Sequence, residues 1–294
     1  MASRQSTQKV PLTFYLMVVP GLALFAIFIV APLIVGIQTS LTNSTGFGDA
    51  EFIGLKNYVA LFRDPNVLQS YLFTFEFSLL STVVVNVVSL FTAIALNAKV
   101  KWRNQLRGIF FLPNVLAMLV VAYVFNYICS VVVPHLGQDW KIPWLQTSIL
   151  ASPDYAWLGI VFVTAWQSAA FSMVIYLAGL QAIPEEVYEA AELDGAGAWR
   201  RFGSVTFPLI FGFFTINVVL AMTNFLQVFD QVVGLTGGGP GTSTTSISLI
   251  IYRDGFQGGE YAYQMANSVV YFIVIVLISV VQLRYLQRRE ARFV

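Results

Sequence analysis

The sequence predicts an all-α integral membrane protein with six transmembrane helices, forming one transmembrane domain over residues 1–294. Three observations carry this. The chain is 57% hydrophobic and only 11% charged, against about 45–50% apolar and 25% charged in soluble domains. Its mean hydropathy is +0.73. Six stretches are apolar for long enough to cross a hydrocarbon layer of about 30 Å, which takes roughly 20 helical residues.

The spans fall at about 12–37, 71–98, 106–133, 155–182, 206–229 and 262–286. None alternates polar and apolar residues at period two, as the strands of a membrane barrel do. Pro20, Pro32, Pro113 and Pro208 lie inside or at the ends of spans. Membrane helices tolerate such breaks when neighbours satisfy the freed backbone groups. The first span is too long for a signal-peptide core of about 7–15 residues, and no small-residue cleavage pattern follows it.

Charge sets the expected orientation. Twelve of the sixteen Lys and Arg fall on one side: Arg4, Lys9, Lys99, Lys101, Arg103, Arg107, Arg200, Arg201, Arg284, Arg288, Arg289 and Arg292. Lys56, Arg63, Lys141 and Arg253 fall on the other. Basic loops stay in the cytoplasm, so both termini are expected there. The net charge of +1 gives no reason to expect a nucleic-acid partner. One cysteine and one histidine leave no disulfide framework, no cysteine-rich metal site and no paired-imidazole catalysis. No catalytic residue and no metal site are expected.

Among the outer loops, Asn43-Ser44-Thr45 matches a short, common glycosylation sequon. Trp140, Trp144 and Trp157 suit an interfacial belt. The stretch Leu235-Thr236-Gly237-Gly238-Gly239-Pro240-Gly241 is glycine-rich but lacks the Gly-Lys-Ser/Thr of a phosphate loop, and reads as a tight turn.

The inner loop at 183–205 is different. Pro184, Glu185 and Glu186 suit the start of a helix, and Gly195 suits its end. A helix of about three turns from Pro184 to Asp194 follows, too short to span. Ala190 and Ala191 would let another backbone approach, and a second short helix begins near Ala198. Physical reasoning alone leaves two readings open: a connector lying on the membrane, or a docking element for a cytoplasmic partner.

Glu189-Ala190-Ala191, then Gly195, then Phe207-Pro208-Leu209 resembles the EAA loop of permease subunits in binding-protein-dependent ABC importers. The longer string from Ile183 to Ala196 is similar to the carbohydrate-uptake branch, as are Leu112-Pro113 and the Gly238-Gly239-Pro240 loop. That loop resembles the first permease subunit of maltose, multiple-sugar and glycerol-phosphate systems. Phe207 stands where the family often has leucine.

The resemblance implies a type I importer permease fold in a bacterial or archaeal cytoplasmic membrane. It implies a second homologous permease, two ATPase subunits and an extracellular binding protein that delivers a sugar. ATP and magnesium would belong to the ATPase, with no cofactor on this chain. Glu189, Ala190, Ala191, Asp194 and Gly195 would form the coupling contact.

A neutral sugar needs amides and hydroxyls for its OH groups and aromatic faces for its ring. Span 4 offers Trp166, Gln167, Ser168, Phe171 and Ser172; the outer end of span 5 offers Asn224, Gln227, Asp230 and Gln231. Asn224, Gln227 and Gln231 at i, i+3 and i+7 would share one helical face. Span 3 adds Asn114. The resemblance places the sugar pathway at Gln167, Ser168, Phe171, Asn224 and Gln227, and Asn114 joins them. Each such amide has a second reading as a bond between helices. Asn86, Asn126, Asn217 and Asn267 are expected to be bonds of that kind. Glu76, the carboxylate placed within a span, reads equally as a snorkelling group or a pathway group.

Other functions are weighed against this. A permease of the same architecture could carry a glycerol phosphodiester or a peptide, but an anionic cargo favours Arg or Lys in mid-span, and none is there. A membrane enzyme needs converging acid, base or metal-binding groups. A self-sufficient channel leaves the inner loop unexplained.

Overall fold

The computed structural model describes residues 12–98 and 101–290. Arg4, Lys9, Lys99 and Arg292 of the charge argument lie outside these residues. Among the described residues the regular elements are all helices, with one isolated antiparallel bridge between Thr42 and Phe52.

Helix α1 (Leu16–Ser40) contains a π turn at Ala26–Val30 and packs through its second half on the last helix. A short outer helix, α2 (Lys56–Leu61), follows. Asn57 holds this loop by donating to the carbonyls of Ser40 (2.8 Å) and Thr42 (2.9 Å). Helix α3 (Pro65–Asn97) starts six residues before the expected Tyr71. The cause is local: Pro65 fits the first turn, and the Asp64 carboxylate accepts from the Asn66 amide at 2.9 Å.

The expected third span, 106–133, is not one helix. Helix α4 (Arg103–Phe111) ends in a 3₁₀ turn at Leu112–Val115, and α5 (Met118–Asp139) restarts beyond it. Pro113 has no N–H and cannot continue the ladder. The apolar helix that can cross the membrane is therefore α5, shifted towards the outer loop.

Helix α6 (Ala156–Gln181) matches its expectation closely. Helix α7 (Glu185–Leu193) is the short inner helix, with Pro184 just before its first turn rather than in it. Helix α8 (Ala198–Leu209) and α9 (Phe211–Leu226) replace the straight fifth span and meet at 70°. Pro208 withholds an N–H there, and a π turn at Phe202–Thr206 precedes it. Rings of Phe207, Phe211 and Phe214 fill the bend, with centroids 5.5–5.8 Å apart.

A second break follows at 227–229, where Phe229 leaves helical geometry and α10 (Asp230–Leu235) begins. Asn224, Gln227 and Gln231 therefore do not share one continuous helix. Beyond the glycine-rich turn lie α11 (Ile247–Tyr252) and α12 (Tyr261–Glu290). Among the described residues five helices are long and apolar enough to cross a membrane, or six where the bent α8–α9 pair counts as one span.

The α3–α6 pair is the most extensive contact in the chain. Ser70, Thr74, Ser78 and Ser89 of α3 are buried and donate to carbonyls four residues back in their own helix. Their hydroxyls are thus satisfied without a partner helix, and the small stripe permits close approach. Tyr176 crosses the interface and donates to Asn86 Oδ1 at 2.6 Å. Asn126 donates to the Leu235 carbonyl (2.6 Å), Asn217 to the Ser172 carbonyl (3.2 Å), and Asn267 accepts from Tyr71 (3.1 Å). All four asparagines expected to join helices do so.

Candidate functional site

The interruptions in α4–α5 and α9–α10 meet beside the middle of α6 and leave a cavity of about 420 Å³. Asn114 reaches it from the 3₁₀ turn and Met118 from the start of α5. Ser168, Phe171 and Ser172 come from α6, and Leu220, Asn224 and Phe225 from α9. Gln227, Phe229, Asp230 and Gln231 line it from the second break. The breaks add the turn residues Asn114, Gln227 and Phe229 to the side chains that unbroken α6 presents.

Five of the six residues singled out for the pathway line this cavity: Asn114, Ser168, Phe171, Asn224 and Gln227. The structure places Gln167 elsewhere. It is 3% exposed, and its Nε2 donates to the carbonyls of Leu116 (2.9 Å) and Pro113 (3.3 Å). The Leu116 carbonyl lies past the end of the 3₁₀ turn, and the Pro113 carbonyl also accepts from the Leu116 amide at 3.4 Å, so Gln167 braces the break from behind. Asn224 is exposed to the cavity, and Gln227 donates back to the Thr223 carbonyl at 3.1 Å. Glu76 is exposed on α3 and is not among the lining residues.

Ser172, Met118, Asp230 and Gln231 also line the cavity. Ser172, Asp230 and Gln231 stand in the polar runs that the sequence shows; Met118 carries no signal of its own. The second break itself is braced by Ser246, which donates to the Val228 carbonyl at 2.9 Å. The glycine-rich segment folds as a tight turn, closed by Thr244 donating to the Gly239 carbonyl (2.6 Å) and Thr245 to that of Gly238 (3.1 Å).

The second candidate element is α7. Glu189, Ala190, Asp194 and Gly195 are exposed, whereas Ala191 is buried against the chain. Gly195 takes φ +71° just past the helix, and the Ala196 amide donates to the Ala191 carbonyl at 3.0 Å. This is the left-handed helix ending that glycine favours. Leu193 is 90% exposed and Trp199 82% exposed, flanking the turn. Tyr188 anchors the helix: its ring lies under Arg201 (5.9 Å) and its hydroxyl accepts from Thr206 (3.5 Å). From Thr206 the chain leads through the phenylalanine-filled bend into α9 and the cavity. Among the described residues no group of three or more His, Cys, Asp or Glu can hold a metal ion.

Residues 85–292 match the family described as binding-protein-dependent transport system inner membrane component. The chain is 36% identical over 290 residues to the probable starch degradation products transport system permease protein of Thermoanaerobacterium thermosulfurigenes, covering 99% of both chains. It is 33% identical to the trehalose/maltose transport system permease protein of Thermococcus litoralis, covering 92% of each. It is 32% identical to the sn-glycerol-3-phosphate transport system permease protein of Yersinia pestis, covering 94% of each. Its fold superposes with a TM-score of 0.82 on a chain of a bacterial ABC transporter involved in the import of the acidic polysaccharide alginate, at 24% identity and covering 94% and 95% of the two chains. The chain belongs to the binding-protein-dependent transport system inner membrane components, as a multi-pass permease of the sugar ABC importer kind.

Proposed function

We propose that the chain forms half of the translocation pathway of an ATP-driven importer of neutral saccharides. A second, homologous permease supplies the facing half. Two ATPase subunits bind ATP and magnesium on the cytoplasmic side, where both termini also lie, and an extracellular binding protein delivers the sugar. The observation that carries this reading is the cavity: neutral amides and hydroxyls beside the faces of Phe171, Phe225 and Phe229. Such a wall offers hydrogen bonds to sugar hydroxyls and apolar contact to sugar rings.

Coupling runs through α7. Its exposed face, with Glu189, Ala190, Asp194 and Gly195, docks in a groove of an ATPase subunit. Closure of the ATPase pair moves α7, and the contacts of Tyr188 and Thr206 carry that motion into α8. The Ser168–Ser172 stretch of α6 lies about 15–20 Å from the start of the inner loop, counted at 1.5 Å per residue. Two arrangements of the spans with different sugar access are what ligand-driven coupling requires.

A glycerol phosphodiester is the alternative cargo. Recognition of a phosphate draws on Arg or Lys, and neither is among the lining residues. The test is co-purification of the chain with its sister permease, ATPase and binding protein, followed by ATPase assay and uptake in membrane vesicles. Maltotriose is the first probe and sn-glycerol 3-phosphate the anionic comparison. Sugar-stimulated ATP turnover with maltotriose uptake is expected. Stimulation by the phosphate alone would overturn the saccharide reading.

A further inference from the structure

Asp230 is the one ionisable side chain among the residues that line the cavity. The polar groups around it are neutral: Asn114, Ser168, Ser172, Asn224, Gln227 and Gln231. It is half-buried in the first turn of α10, at the break that shapes the outer wall. Among the described residues no Lys, Arg or His lines the cavity with it. Apolar surface from Val85, Leu220, Ala221, Phe225 and Val228 completes the wall, so the carboxylate's field is screened less than in open water.

From this geometry we infer that Asp230 is a charge filter for the pathway. Its carboxylate accepts charge-assisted hydrogen bonds from the hydroxyls of a neutral saccharide. It repels a saccharide that carries a carboxylate or phosphate. At about 6 Å and an effective dielectric of about 40, the repulsion between two unit charges lowers passage of the anion about tenfold. The neutral groups nearby discriminate little between the two cargoes, since a sugar acid keeps most of its hydroxyls. This inference rests on the saccharide reading above and adds the class of sugar that is refused.

The experiment uses the assembled complex with its own binding protein in membrane vesicles. Uptake of maltotriose is compared with that of maltotrionate, the same trisaccharide with its reducing-end aldehyde oxidised to a carboxylate. Wild type, Asp230→Asn, Asp230→Ser and Asp230→Glu are measured side by side. The binding protein is the same throughout, so its preference cancels when each variant's anion-to-neutral ratio is divided by that of wild type. The ratio is expected to rise about tenfold in Asp230→Asn and Asp230→Ser and to stay within about twofold in Asp230→Glu. Two neutral variants guard against a folding defect in either one. An unchanged ratio in the neutral variants, with maltotriose still imported, overturns the charge filter and leaves the importer reading standing. Wild-type vesicles that take up neither sugar overturn the saccharide reading, and the filter with it.

Discussion

Replacing Gln167 by leucine separates a brace from a lining residue. The Gln167 amide is buried and donates to two carbonyls at the Pro113 break, those of Leu116 and Pro113, at 2.9 Å and 3.3 Å. Leucine keeps the bulk but removes that donor: the Pro113 carbonyl keeps the Leu116 amide at 3.4 Å, and the Leu116 carbonyl loses its donor in a dry setting. Hydrogen bonds between membrane helices are worth about 0.6–2 kcal/mol, and an unsatisfied buried group costs about 1–3 kcal/mol. The glutamine's own Oε1 has no hydrogen-bond partner, which offsets part of the loss when the side chain goes. A net destabilisation of about 1–2 kcal/mol follows. Asn224→Ala removes a cavity-facing amide for which no side-chain hydrogen bond to the described residues is seen, and its cost to stability should be within about 0.5 kcal/mol. The assay is thermal unfolding of the purified complex, with the KM of maltotriose uptake from the same preparation. Gln167→Leu should lower the unfolding temperature, and Asn224→Ala should raise KM at unchanged stability. The reverse pattern would refute the assignment of Gln167 to the break and Asn224 to the cavity.

Gly195→Val should weaken ATPase attachment in pull-downs, because φ +71° strains a β-branched residue by about 1–3 kcal/mol; Gly195→Asn, which tolerates that conformation, should retain it. A Cβ at Gly195 meets nothing within 4 Å in this chain, so the asparagine variant separates backbone strain from a clash with the ATPase. Gly234→Val should block assembly, since even a Cβ there lies 2.5 Å from Ala122 Cβ and 3.3 Å from the Leu119 carbonyl; overpacking costs about 1–3 kcal/mol, read as loss of folded complex on gel filtration. The purified chain alone should turn over no ATP, because it has no Gly-Lys-Ser/Thr loop for phosphates; measurable turnover would refute the division of labour.

Span number and the inner helix were legible because their signals are local. Apolar length marks a crossing, and Glu185, Glu186 and Gly195 mark the two ends of α7. The early start of α3 also had a local signal, in Asp64-Pro65. The breaks were less legible. Pro113 and Pro208 are visible, but a proline in a membrane helix does not state whether the chain kinks or stops. At Pro113 it stops; beyond Pro208 it turns by 70°. The break at 227–229 has no proline or glycine at all. Its Val228 carbonyl is satisfied by the Ser246 hydroxyl, which the local sequence does not announce.

Gln167 and Ser168 were indistinguishable for a similar reason. Helix α6 buries Ala165, Gln167, Ala169, Ala170 and Ser172 but leaves Leu158, Phe162, Trp166 and Val174 exposed along one stripe. That exposed stripe is as apolar as the buried face, so the helix carries no polar-to-apolar period from which to read which side meets the cavity. The same chemistry, an amide in mid-membrane, therefore serves two ends: Asn224 faces the space, and Gln167 satisfies the backbone that makes the space.

That division extends across the bundle. Gln167 donates to Leu116, Asn126 to Leu235, Ser246 to Val228, Asn217 to Ser172 and Gln282 to Val218. In each case a side chain from one segment reaches a carbonyl of another, and three of the five carbonyls sit at a break or a helix end. Without water, an interrupted helix in the membrane keeps its shape only where such a donor reaches it. The cavity walls are therefore fixed by side chains that do not touch the cargo. A motion entering at α7 meets a braced wall on the α6 side and a phenylalanine-filled bend on the α8–α9 side. Tightly packed side chains shift between discrete arrangements more readily than they deform. On the coupling proposed above, a displacement of α8 would move Asn224 and Phe225 as one unit relative to Ser168 and Phe171, and the lining would change by sliding one wall past the other.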